Sequence, residues 1–149
     1  MCYYHGNTMP TSSRFAVAVH ILTLLEHEGG RPVTSAYIAG SVNTNPGFIR
    51  RLVALLARAG LVTTRLGAGG GALLAKPASR IRLADVYRAV EPGDLFALHH
   101  SPPNPKCPVG RNIQQALRTV VRPAEGALES KLRGVTVTDI LDSVTARSP

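Results

Sequence analysis

A chain of 149 residues that is 44% hydrophobic, 5% aromatic and 17% charged suits one compact domain, with or without a small appendage, and is too short for a multi-domain assembly. Seventeen Lys and Arg against nine Asp and Glu give a formal net charge of +8, so the expected partner is a polyanion, either nucleic acid or an acidic membrane surface. Two cysteines, Cys2 and Cys107, exclude a multi-bridge disulfide framework and fit a reducing cytoplasm, and with no long apolar run the expectation is a cytoplasmic protein that neither crosses nor uses a membrane.

Residues 1–11 read as an N-terminal arm. Residues 1–80 hold eight Lys and Arg but only two acids, Glu26 and Glu28, so a polyanion site is expected in the first half. From Ser12 to Glu28, Phe15, Ala18, Val19, Leu22 and Leu25 recur at helical spacing before Gly29-Gly30, which predicts a capped amphipathic helix. A short helix follows from Thr34 to Val42, capped by Thr34 or Ser35, with Tyr37, Ile38 and Val42 expected inward. Asn45-Pro46 is a helix start, an Asx cap followed by proline at the first helical position. That helix runs to Gly60 with Ile49, Leu52, Val53 and Leu56 in one stripe and Arg50, Arg51 and Arg58 off it.

Two short β-tolerant runs, Leu61 to Leu66 and Ala72 to Ala75, flank Gly67-Ala68-Gly69-Gly70-Gly71 and predict a hairpin with a long tip. Arg82 to Glu91 predicts a helix with Leu83, Val86, Tyr87 and Val90 inward. Residues 92–108 hold five prolines and the pair His99-His100 and form an irregular connection. Residues 109–149 then carry a long helix, in which Ile113, Leu117, Val120, Ala124, Leu128 and Leu132 recur at three or four residues, a narrow seam suited to pairing. Pro123 is expected to kink that helix or split it. A last short helix follows a cap at Thr136 or Thr138, with Ile140 and Leu141 inward.

The expected fold class is mainly α with a small β-hairpin wing: a winged helix-turn-helix over residues 12–91, then a long C-terminal dimerisation helix. A helix of this kind enters a DNA major groove while a basic wing follows the adjacent backbone. The candidate DNA contacts are Thr34 and Ser35, then Asn45, Gly47, Arg50 and Arg51, and in the wing Arg65, Gly69 and Gly70. The candidate dimer seam is Ile113, Leu117, Val120 and Leu128. A different-class reading is a winged helix that binds protein, which a salt-dependent gel shift would separate from DNA binding. Gly67, Gly69 and Ala72 also satisfy a dinucleotide-binding glycine pattern, but Pro77 follows where a helix would have to open. No nucleophile turn or paired carboxylates emerge, so no enzyme is expected.

The segments RFAVAVHILTLL and PVTSAYIAGSVNTNPGFIRRLVALLARAGLVTTRLGAGGGALLAKPASRIRLADVYRAVE resemble the Rrf2 family of bacterial winged-helix regulators. The run NPKCPVGRNIQ and the long helix after it are most similar to its clusterless, YwnA-like branch. The resemblance runs from about Ser12 to Val144. It implies a homodimer on a pseudo-palindromic operator in double-stranded DNA, usually as a repressor, with the long helix crossing to its partner. Leu66 stands where family members usually carry Arg, and Ala72 replaces a usual aromatic residue. Many members hold an iron–sulfur cluster on three cysteines in the connection; here that connection has only Cys107, so neither a cluster nor another bound metal is expected. Cys107, beside Lys106 and near a helix start, sits in surroundings that redox-sensing thiols use, and a thiol-redox or cluster-sensing regulator using it is the same-class alternative. The expected effector is a small molecule or a redox signal.

Overall fold

The computed structural model describes residues 12–149. The expected arm, residues 1–11 with Cys2, lies outside the described residues. The chain runs α1 (Arg14–His27), α2 (Ser35–Val42), α3 (Pro46–Arg58), β1 (Val62–Arg65), β2 (Gly71–Leu74), a 3-10 turn at Ala78–Arg80, α4 (Leu83–Val90), α5 (Pro108–Arg133) and α6 (Val137–Arg147).

Local chemistry sets the boundaries of these helices. α1 ends where Gly29 and Gly30 take φ of 66° and 89°. α2 begins on Thr34, whose hydroxyl oxygen accepts from the Tyr37 N–H at 3.2 Å, and ends on Asn43 in the left-handed region. α3 begins on Asn45, whose Oδ1 accepts from the Phe48 N–H at 2.8 Å, with Pro46 in its first turn. Ile49, Leu52, Val53 and Leu56 are all buried, against Ile21 and Leu22 of α1, Ile38 of α2 and Val86 of α4 in one continuous core. Phe15 meets Tyr87 edge to face at 5.8 Å, joining α1 to α4.

β1 and β2 pair antiparallel, with Val62 opposite Leu74 and Arg65 opposite Gly71. Val33 adds a bridge on the other side of β2: its N–H donates to the Ala72 carbonyl at 3.0 Å, and the Ala72 N–H donates back at 2.8 Å. The hairpin is thereby stitched to the segment that leads into α2. Because Ala72 lies in a strand, no helix N-terminus follows the glycines, and the dinucleotide reading fails on geometry. Gly71 is required at this bridge. Its φ is 151°, and a Cβ there would lie 2.5 Å from the Val33 carbonyl carbon and oxygen.

One feature overturns the sequence reading, and two others narrow or extend it. Tyr37 is 52% exposed rather than inward, because its hydroxyl finds a partner at the surface. α5 is one helix of 26 residues that continues through Pro123 instead of splitting. Proline removes the donor to the Thr119 carbonyl, but both residues are exposed, so water can take that acceptor. α6 returns to the winged unit: the Leu83 N–H donates to the Val135 carbonyl at 2.9 Å, the Val137 N–H donates to the Ile81 carbonyl at 3.0 Å, and Val137 is buried in the same core. Thr136 caps α6 in a reciprocal box with Asp139, and Ile140 and Leu141 are half-buried.

Gly71→Ala is expected to destabilise the protein by more than about 1 kcal/mol, since its backbone conformation and its neighbour both reject a side chain. Gly40→Ala, inside α2 with open space around it, should instead be neutral or stabilising by up to about 1 kcal/mol. Denaturant midpoints of the two variants check both signs.

Candidate nucleic-acid interface

The buried stripe of α3 leaves Arg50, Arg51 and Arg58 exposed on the opposite side. The Arg51 guanidinium lies 5.9 Å from the centre of the Phe48 ring, a cation–π contact that holds it close to the helix. Arg50 Nη2 lies 4.0 Å from where a Cβ would stand on Gly47, and the same Cβ would lie 3.2 Å from Asn45 Oδ1. The missing side chain at Gly47 therefore leaves room for the Asn45 cap, while the Arg50 head group lies at ordinary contact distance. Asn45 spends its oxygen on the cap, so its exposed amide nitrogen is the group available to an outside acceptor. Thr34 likewise accepts from its own helix and keeps its hydroxyl proton to donate, and Ser35 is half-buried in the first turn of α2.

In the wing, Arg65 is exposed at the end of β1. The tip closes by a turn in which the Gly70 N–H donates to the Gly67 carbonyl at 3.1 Å, with Gly67 and Gly69 at φ of 84° and 73°. A Cβ on Gly70 would lie 2.2 Å from the Arg65 carbonyl oxygen, so glycine here is a condition of the tight tip. Leu66, beside that turn, is 97% exposed.

Between α1 and α2 the structure brings together a cluster that the sequence reading missed. The Tyr37 hydroxyl donates to Glu28 Oε1 at 2.8 Å, Arg31 pairs with the other oxygen of Glu28, and the Arg31 guanidinium lies 6.0 Å from the Tyr37 ring centre. The Tyr37 hydroxyl, and then Arg31, hold the Glu28 carboxyl below the usual carboxylate range. The same bond to Glu28 pushes the Tyr37 phenol above its ordinary value. Tyrosine with a nearby acid and base was the available signal. Arg31 is thus neutralised, whereas the ion pairs among the described residues leave Arg50, Arg51, Arg58, Arg65 and Lys76 unmatched.

The other candidate residues lie on α5 and its entry. None of the residues of α5 is buried: Val109 and Val120 are 68% and 69% exposed, Leu117 is exposed, and Ile113 and Leu128 are half-buried. Glu129 pairs with Arg88 of α4 and, at 3.0 Å, with Arg133, while Glu125 accepts from the Leu95 N–H at 3.0 Å. Glu91 accepts from Ser12 Oγ at 2.8 Å and from the Phe15 N–H at 3.3 Å, so the start of the connection is tied to the head of α1. Cys107 is exposed at the N-cap of α5, and His99 and His100 are exposed in the loop before it.

A family profile for Rrf2, described as an iron-dependent transcriptional regulator, matches residues 11–143. The HTH-type transcriptional regulator YwnA of Bacillus subtilis is 43% identical over 132 residues, covering 88% of this chain and 96% of YwnA. A crystal structure of a DNA-binding protein is similar at 41% identity with a TM-score of 0.71, covering 87% of this chain and 99% of that one. The structure of CymR, the global cysteine regulator of B. subtilis, shares the fold at 23% identity with a TM-score of 0.68, covering 91% of this chain and 98% of CymR. Iron held as a cluster is ligated mainly by thiolates. The described residues offer one, Cys107, and no group of three His, Cys, Asp or Glu side chains placed to hold a metal, so this donor set does not fit a cluster.

Alkaline titration of phenol absorbance is expected to show one tyrosine ionising above the ordinary value of about 10. In Glu28→Gln that transition should move down towards it. An unchanged titration would show that the Tyr37–Glu28 bond does not form in solution.

Proposed function

This chain belongs to the Rrf2 family of transcriptional regulators, and on that premise we propose that it works as a homodimeric repressor on a pseudo-palindromic DNA operator. The observation that carries the reading is the two-faced α3, with its apolar stripe wholly buried and Arg50 and Arg51 exposed beside a basic wing. In this reading Arg50 reaches base edges, since arginine forks onto guanine in the major groove. Arg51, steadied by Phe48, neutralises phosphate. Asn45 Nδ2, the Thr34 and Ser35 hydroxyls and the first-turn amide at Gly47 hold the backbone, and Arg65 with the Gly69 amide, on the turn that Gly70 closes, follows it from the wing.

One α3 helix covers only a half-site, and two require a dimer. The seam of Ile113, Leu117, Val120 and Leu128, half-buried or exposed, is the surface we assign to a second copy, because burying apolar side chains is the principal gain on association. None of the described helices is long and apolar enough to cross a membrane, and a cytoplasmic site of action follows from the DNA partner. The role is regulatory rather than catalytic. We assign the signal to a small molecule or to the Cys107 thiol, with no step through a cluster.

Replacing both Arg50 and Arg51 by Ala should weaken specific binding from several-fold to hundreds-fold, at about 1–3 kcal/mol for a good base contact, with little change in thermal stability. Unchanged operator affinity in that variant would remove α3 from the interface.

Leu117→Asp should give monomer or aggregate in sedimentation and lose operator binding together with dimerisation. A wild-type protein that stays monomeric at micromolar concentration would refute the dimer.

A further inference from the structure

We propose that Leu66 is an apolar probe of the DNA minor groove, which makes this protein prefer A·T over G·C pairs beneath its wing. The proposal rests on the reading of α3 and the wing as the DNA interface and adds to it a residue that sets specificity. Exposed apolar side chains are common when scattered over a surface. Leu66 is distinguished by its place. It is 97% exposed, whereas Val62 at the base of the hairpin and Ala72, opposite Thr64, are buried. Four residues of strand, at about 3.3 Å each, carry it roughly 13 Å from Val62. The turn beyond it is locked by the Gly70 to Gly67 hydrogen bond and by the close approach of Gly70 to the Arg65 carbonyl. The leucine is therefore held out on a short, slender tip next to the cationic Arg65.

With α3 in a major groove about 12 Å wide, the neighbouring minor groove, about 6 Å wide, is what a tip of this size meets. Leucine has no donor for a phosphate, so its contact lies with sugars and base edges, where apolar side chains of minor-groove binders act. There an A·T pair presents only acceptors at the floor, while a G·C pair adds the guanine 2-amino group. That amino group occupies the space a leucine methyl would fill, and in contact with leucine it loses water without gaining an acceptor. Discrimination then comes from steric fit and an unmatched donor, with no hydrogen bond from the protein.

The test uses the full-length protein and an operator fragment selected with it from genomic DNA. Affinity is measured by fluorescence anisotropy over a salt series, with the pairs that footprinting places beneath the wing set to A·T, G·C or inosine·C. Inosine lacks the 2-amino group and leaves the major-groove face of guanine unchanged. The expected result is that G·C weakens wild-type binding several-fold and inosine·C restores it. Leu66→Ala should bind the A·T operator several-fold less tightly, lose the difference between G·C and inosine·C, and keep the wild-type salt slope. Leu66→Arg should steepen that slope by about 0.9 per added phosphate contact. Circular dichroism should match wild type for both variants, as expected for a site exposed this fully.

Leu66→Ala with wild-type affinity and undiminished discrimination against G·C would overturn the proposal. The Arg50 and Arg51 double variant separates the two levels: if it fails to bind while Leu66→Ala is unaffected, only the role of Leu66 falls. If neither substitution matters, or the wild type binds no DNA, the interface reading falls and the proposal with it.

Discussion

Ile49, Leu52, Val53 and Leu56 lie at three- and four-residue spacing along α3, and once the core takes them, helical periodicity leaves Arg50, Arg51 and Arg58 no direction but outward. Each of those apolar side chains contributes about 1.5–3 kcal/mol on burial, far more than any cost of collecting arginines on one exposed face. The functional face is thus a consequence of the core. Asn45 and Pro46 then decide where the helix begins, which places Arg50 and Arg51 in its N-terminal half instead of mid-helix.

The wing depends on the same core through a narrower joint. Val62 and Ala72 are buried, Val33 pairs with Ala72, and Gly71 lets the two backbones meet. α5 obeys a different logic, for it has the apolar seam of a core helix, yet among the described residues nothing buries that seam fully. Exposed polar contacts, Arg88 with Glu129 and the Leu95 N–H with Glu125, tie it to α4 and the connection, and just past its end the Val135 carbonyl accepts from the Leu83 N–H and Val137 enters the core. Exposed contacts of that kind are screened by water and contribute little each.

Most of this fold was legible because its local signals agree with its packing. Thr34, Asn45 and Thr136 are caps by residue type and caps in fact, and the stripes of α1, α3 and α4 face the core as their spacing requires. The misreadings share a cause: a residue's fate depended on a partner that spacing does not reveal. Tyr37 sits on the apolar side of a short helix by residue type, yet Glu28 and Arg31 draw its hydroxyl to the surface. At Pro123, of the kink or split that its type predicts, the split does not occur, since on an exposed face of α5 the orphaned carbonyl meets solvent. The return of α6 depends on pairing between residues 81–83 and 135–137, too distant in sequence for any local pattern. At the interface, the arginines were identifiable from charge and periodicity, whereas the backbone approach that fixes the tip geometry, Gly70 against Arg65, emerges only in three dimensions.

The central claim is that the α5 seam joins two copies so that two α3 helices read one DNA site together. Hydroxyl-radical footprinting of the selected operator with wild-type protein tests it most directly. The account predicts two protected windows related by a dyad, centred one helical turn, about 34 Å, or a small multiple of it apart. A single protected window, with no second one at a whole number of turns, would contradict it.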